Sequence, residues 1–239
     1  MATCRLCRQE RKLIKAHIIP RSLYAPLFED GSPVKVYSTE KGIYPKRAPQ
    51  GIYDSKILCD ECDHRIGDWD NAAQRFLLTP LKQYGDPAAI EERGWFEASD
   101  FDYTRLKLFF ISLLWRAHIT SHPFFAKVEL GPWERIARKR IISEEPGTVE
   151  DFSTLLARYE HPLAMALRNP EYMRFYGLNY YRFRAASYVA IIKVDKRPID
   201  RDLLPFALAA DRPIVVRLHD FLSSSEFKKN IESIAEMRE

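Results

Sequence analysis

Every cysteine of the 239-residue chain lies in one of two pairs of identical spacing, Cys4-x-x-Cys7 and Cys59-x-x-Cys62. A C-x-x-C turn sets two sulfurs on the same side of a tight knuckle. Two such knuckles supply the four tetrahedral ligands, each about 2.3 Å from the metal, that a structural zinc requires. The spacing predicts one shared Zn²⁺ held by Cys4, Cys7, Cys59 and Cys62 and closed to substrate. The competing readings are two unrelated reduced pairs, or a redox pair. A redox C-x-x-C belongs at a helix start beside a βαβ pattern, and the duplication argues against it.

The elements that must position these sulfurs follow from the residues around them. Ala16-His17-Ile18-Ile19-Pro20 is a short apolar run stopped by a proline, which bars Ile19 from a helix and favours a strand end. Tyr24 to Tyr53 is rich in Pro, Gly, Lys and Tyr and reads as a long loop with one short strand at Val34–Tyr37. Long loops inside compact domains are often functional. Lys56-Ile57-Leu58 reads as β, and Cys59 opens a helix whose apolar positions Ile66, Trp69, Ala73, Phe76 and Leu77 recur at three and four. Asp60, Glu61 and Asp63 suit the positive end of its dipole. The expected order is strand, long loop, strand, helix.

In this order, Cys4-x-x-Cys7, the His-x-x-Pro from His17 to Pro20, and Leu58-Cys59-x-x-Cys62 opening a helix resemble the zinc-containing HNH endonucleases, also called His-Me or ββα-metal nucleases. The resemblance covers about the first third of the chain. It implies that His17 is the general base, that Asp54 stands where the family has its central asparagine, and that Asp63 stands where the family has a metal-binding histidine, with His64 one step on. Asp70 shares the helical face of Asp63 and is an alternative ligand. Two positions depart from the family pattern: Ala16 stands where many members carry a metal ligand, and no histidine directly follows Cys62.

The chemistry so implied is hydrolysis of a DNA phosphodiester. An imidazole with an ordinary pKa near ~6.5 can take a proton from water at neutral pH. A hard cation such as Mg²⁺ or Mn²⁺, held by carboxylate oxygens, offsets charge on the phosphate and the leaving oxygen. Arg8, Arg11, Lys12, Lys15 and Arg21 crowd this region, and Lys46 and Arg47 lie in the long loop with Tyr37 and Tyr44. Basic residues interleaved with aromatics track a phosphate backbone and stack on bases. Arg135, Arg138, Lys139 and Arg140 form a second basic group, read as an ordinary solvated face because Glu134, Glu144 and Glu145 lie close by.

Composition frames the whole: 46% hydrophobic, 29% charged and a formal net charge of +4 describe a folded chain that permits a polyanionic partner without requiring one. The start MATCRLCRQE lacks the apolar core of a secretory signal, so a reducing, cytoplasmic setting is expected. The longest apolar stretch, LKLFFISLLWRAHI, is broken by Lys107 and Arg116 and is shorter than the roughly 20 residues that span a bilayer, so no membrane span is expected. The expected fold class is α+β, with an HNH-like zinc-binding domain over 1–80, a Pro- and Gly-marked linker over 81–100, and an α+β accessory domain over 101–239 that could carry a protein partner or an oligomer interface. Helices are expected over 102–120, 132–142 and 148–159, strands over 180–194 and 214–218, and a helical tail from Ser223. The leading functional expectation is an HNH-type endonuclease, with phage defence or restriction implied by the resemblance alone. The alternatives are a catalytically inactive zinc-stabilised nucleic-acid-binding or adaptor module of the same fold, and a zinc-knuckle RNA-binding protein.

Overall fold

The computed structural model describes residues 1–27, 35–36, 46–47, 51–159 and 166–220. The expected helical tail and most of the Tyr24–Tyr53 loop, including Tyr37 and Tyr44, lie outside the described residues. In chain order the elements are β1 (Ala2–Thr3), β2 (Glu10–Arg11), β3 (Ala16–His17), β4 (Lys35–Val36), β5 (Lys46–Arg47), β6 (Tyr53–Asp54), α1 (Asp60–Leu77), α2 (Pro87–Arg93), β7 (Trp95–Ala98), α3 (Tyr103–Ile119), α4 (Trp133–Ser143), β8 (Thr154–Tyr159), β9 (Ala166–Phe175), β10 (Leu178–Ala186), β11 (Tyr188–Lys193) and β12 (Ile214–His219). The fold is mixed α+β.

The N-terminal part is built from minimal ribbons. β1 pairs with β2, β3 with β6 and β4 with β5, all antiparallel. Among the described residues β3, β6 and α1 follow in the expected order of strand, strand and helix, although the second strand is Tyr53–Asp54 rather than Lys56–Leu58. The described part of the expected loop holds a 3₁₀ turn at Arg21–Leu27 and two short strands, β4 and β5, where one is expected. Ile57 and Leu58 instead bond to the first knuckle region, where Arg5 N–H donates to the Ile57 carbonyl (2.8 Å) and Ile14 N–H to that of Leu58 (3.0 Å).

A six-stranded sheet of order β7-β12-β8-β11-β10-β9 forms the other part, with β12 and β8 parallel and every other pair antiparallel. Against it and α1 lies α3. Leu106 through Ala117 are all buried, the pattern of a helix covered on every side. The Asp102 carboxylate caps it by accepting from Arg105 N–H (2.9 Å). One continuous cluster of buried side chains includes Cys4, Ile18, Trp69, Leu113, Phe183 and Val216, so the N-terminal ribbons, α3 and the sheet share a core. Among the described residues no helix is long and apolar enough to cross a membrane.

Several expectations need correction. The helix expected over 148–159 is a turn followed by β8. The Asp151 carboxylate accepts from the Thr148 backbone N–H (2.9 Å), closing a turn instead of starting a helix. β8 lies between β12 and β11 and buries both Leu155 and Leu156, which erases the two-residue alternation that marks a strand. The single strand expected over 180–194 is a hairpin, β10 and β11, that turns through Ala186 at φ 52°. β9 has no counterpart among the expected strands, because Asn169-Pro170 interrupts its pattern; it is an edge strand, and its register against β10 shifts between Arg182 and Arg184, where a proline is tolerated. Residues 81–100 carry α2 and β7. Pro87 opens that helix and Gly94, at φ 77°, closes it, so these two residues are helix ends rather than linker marks.

Candidate metal centre and the strand beside it

The first knuckle is a tight turn. Arg8 N–H donates to the Cys4 carbonyl and Cys4 N–H to that of Gln9, each at 2.9 Å. Arg8 adopts φ 65°, left-handed backbone that a side chain disfavours. The second knuckle is the start of α1: Cys59 is its N-cap residue and Cys62 lies in its first turn, with Asp63 N–H bonded to the Cys59 carbonyl (3.0 Å). The knuckles are drawn together by Cys59 N–H donating to Cys4 Sγ (3.4 Å) and by a bridge between Leu13 and Cys59.

The four sulfurs all lie within 4.8 Å of one another, and Cys7 Sγ stands 4.0 Å from Cys59 Sγ. Four sulfurs at 2.3 Å from one zinc would be about 3.8 Å apart, so the set fits a tetrahedral ion with little adjustment. All four are free thiols. Burial opposes ionisation of Cys4, but the backbone N–H groups of Cys59, Cys7 and Leu6 outweigh it and bring that thiol down to about 7. Burial pushes the Cys59 and Cys62 thiols up, and neighbouring Cys4 adds to this. A cluster of buried sulfurs with one already favoured as thiolate is suited to a soft or borderline cation. Four protein ligands leave no open position, the mark of a structural site.

His17 lies on β3, half-buried, its backbone opposite Tyr53 and its ring edge-on to the Tyr53 ring at 6.3 Å. Asp63 lies in the first turn of α1, directly after Cys62. Burial raises the Asp63 carboxyl above its ordinary value, and the charges of Arg116 and His17 oppose that rise. His64 points outward, its side chain 85% exposed and 3.9 Å from the Asp60 carboxylate. The charge of His17 bears on Asp63 as it does on Asp70, whereas His64 lies in solvent. Among the described residues no second group of three or more histidine, cysteine or carboxylate side chains converges as the four cysteines do.

Asp54, on β6, is buried, and its carboxylate is engaged. One oxygen accepts from Lys56 N–H (2.8 Å); the other accepts from the Thr120 hydroxyl (2.7 Å) and Ser121 N–H (3.3 Å), just beyond α3. Asp70 is equally occupied. Arg116 of α3, with a side chain only 1% exposed, forks onto Asp70 at 2.7 and 2.9 Å and also donates to the His17 carbonyl at 3.0 Å. Sequence reasoning misses this joint. Its signal is nonetheless present: a charge inside the apolar run of α3 must find a partner once that helix is buried.

The basic residues divide. Arg11 pairs with Glu61 at 3.3 Å, and Lys15 lies over the Tyr53 ring, 5.3 Å from its centre. Arg8, Lys12 and Arg21 are exposed. Lys46 and Arg47 form β5, opposite Val36 and Lys35. Fold and site together define a mixed α+β chain with a four-cysteine centre competent for zinc. Comparison with protein-family models, curated proteins and solved structures finds no match for the chain.

Proposed function

We propose that the chain is a metal-dependent endonuclease of the HNH type, acting on DNA, with the four-cysteine zinc serving as a staple. The observation that carries this reading is the antiparallel pair β3 and β6 followed by α1, with His17 on the first strand, Asp63 in the first turn of the helix, and the cysteine cluster at the start of that helix. In this reading His17 accepts the proton of the attacking water. Asp63 offers carboxylate oxygens to a hard divalent cation such as Mg²⁺ or Mn²⁺, which supplies charge offset at the scissile phosphate and the leaving 3′ oxygen. Arg116 fixes the backbone of His17 through its carbonyl, and Asp54 fixes the partner strand by its bonds to Thr120 and Ser121. The exposed Arg8, Lys12 and Arg21 bind the phosphodiester backbone.

A second reading, a catalytically inactive nucleic-acid-binding module of the same fold, is favoured by one observation. Asp54 is consumed by structural bonds, and Ala16 offers no ligand, which leaves Asp63 with little help in holding a cation. Supercoiled plasmid incubated with the protein and Mg²⁺ or Mn²⁺, beside His17→Ala, separates the two. Nicking that needs the metal and disappears in the variant is the expected result. DNA retention without nicking under either metal would sink the nuclease reading in favour of the binder.

A further inference from the structure

The helix α4 packs against the zinc knuckle. Arg138 Nε donates to the Arg5 carbonyl at 3.3 Å, so the basic group on α4 and the arginines of the first knuckle form one surface. Beside the knuckle arginines opens a cleft of about 350 Å³ lined by Arg5, Arg8, His118, Ile119, Gly131 and Glu134, the last of these on α4. Arg5 and Arg8 are exposed, as are Arg135 and Lys139 on α4, and among the described residues none of the four is in an ion pair within 4.0 Å. The acidic member of the wall, Glu134, accepts from the Trp115 indole N–H at 3.0 Å. His118 Nδ1 lies against the Val128 carbonyl (3.1 Å) and Leu130 N–H (3.3 Å), which fixes the ring at the cleft edge.

Arg8 adds an independent observation. At φ 65° glycine would be the easier residue, and a large charged side chain kept in that backbone conformation is a reason to look for a task. In sequence, the nearby glutamates make the α4 group look like an ordinary solvated face. The fold changes that: Arg140 is taken by Asp151 and Glu144 by Arg65, which leaves Arg135 and Lys139, one turn apart on α4, as exposed cations on the helix whose Arg138 bonds the knuckle.

We propose that this cleft and the flanking face of α4 form a docking track for the phosphate backbone of duplex DNA, outside the β3–β6–α1 unit. It rests on the DNA-binding part of the function proposed above but not on catalysis. Each phosphate neutralised by Lys or Arg releases condensed counterions, so log K falls against log salt with a slope of about −0.9 per phosphate. The track thus predicts which residues carry the slope.

The experiment titrates a short blunt DNA duplex by fluorescence anisotropy over a salt series, with no divalent cation added. The double variant Arg135→Ala with Lys139→Ala should flatten the slope by about 2, one for each phosphate left without its cation. Arg8→Gly should flatten it by about 1 while leaving the fold at least as stable, and Arg8→Lys should keep the slope. Lys196→Ala with Arg201→Ala removes two exposed positive charges elsewhere and should leave it unchanged. Zinc content and thermal melting confirm that each variant is folded. Unchanged slopes in both the α4 double variant and Arg8→Gly, or no DNA binding by the folded zinc-loaded wild type, overturn the track. Nicking assays fail or succeed separately: binding with the expected slopes but no nicking rejects the nuclease alone, whereas nicking with unchanged slopes rejects the track alone.

Discussion

The two parts of this molecule hold their shape by different means. Among the described residues, strands of the N-terminal part are two residues long, and such ribbons carry too few ladder bonds and too little buried area to persist alone. Besides the apolar side chains they add to the shared core, such as Leu6, Ile18 and Ile52, what fixes them is a small number of specific groups: four sulfurs, the Asp54 carboxylate and the Arg116 guanidinium. The six-stranded sheet has strands of four to ten residues and buries Phe183, Ile192 and Val216 against α3 and its neighbours. Its stability is spread over many side chains, so it tolerates the removal of one. The N-terminal ribbons depend more heavily on single groups. The proposed function therefore sits on the region whose geometry depends on the fewest groups, well defined when those groups are in place and absent when they are not.

The largest expected effect breaks this contrast at the metal. Structural zinc in small finger domains contributes an apparent ~10–16 kcal/mol to folding. Purified protein should contain about one zinc per chain. Cys62→Ser, or removal of zinc by a chelator, should abolish amide-exchange protection across β1, β2, β3, β6 and the first turn of α1 while much of the sheet stays protected. By contrast, Phe183→Ala should cost about 3–5 kcal/mol by its cavity and leave the zinc content untouched. Folded protein that contains no zinc and ignores the chelator would remove the basis for the contrast.

The next effect is at the joint between the regions. Arg116→Met leaves Asp70 buried without its partner and should cost about 3–5 kcal/mol. Arg116→Lys should recover little of that, because a lysine cannot reproduce the fork onto Asp70 together with the bond to the His17 carbonyl. The double change Arg116→Met with Asp70→Asn should be milder than Arg116→Met alone. Denaturant melts of the three variants measure this. Equal losses in all three would mean that the buried pair does not hold the joint.

Legibility in the sequence follows the same divide. Paired cysteines are a sparse, position-specific signal, and Cys4, Cys7, Cys59 and Cys62 reveal the zinc-competent centre and the start of α1 directly. α3 and α4 are legible because their apolar spacing, Asp102 and Pro132 act locally. The sheet is legible only in part. β8 hides its alternation by being buried on both faces, β9 carries a proline that only an edge position excuses, and Gly94 and Pro87 mark helix ends as easily as a linker. The bonds that occupy Asp54 and Asp70 are not legible either, since their partners, Thr120 and Arg116, lie 66 and 46 residues away and only the packing of α3 brings them close.

The smallest effect sharpens the comparison through pH. Lys107 is fully buried in α3, with its ammonium on the Tyr103 hydroxyl (3.2 Å) and the Thr148 carbonyl. Burial pulls its pKa down from 10.5 to about 8, with Arg140 and Lys193 adding to the fall and Asp151 and Glu150 opposing it. Between about 8 and 10.5 the unfolded chain binds a proton that the folded chain does not, so stability rises with pH across that window. The gain is on the order of 2–3 kcal/mol at one pKa unit per ~1.4 kcal/mol. Above about 10 the sign reverses in both regions. Burial pushes Tyr24 in the N-terminal part and Tyr180 in the sheet up to about 12, so the folded state keeps protons that the unfolded chain loses, and stability falls. Denaturant midpoints measured from about pH 7 to 11 should therefore pass through a maximum near pH ~10. In Lys107→Met the rise should vanish while the fall remains. A rise of the same size in that variant would assign it to the metal centre instead, where the Cys4 thiol is brought down from 9.0 to about 7 and the folded chain gives up a proton that the unfolded chain keeps.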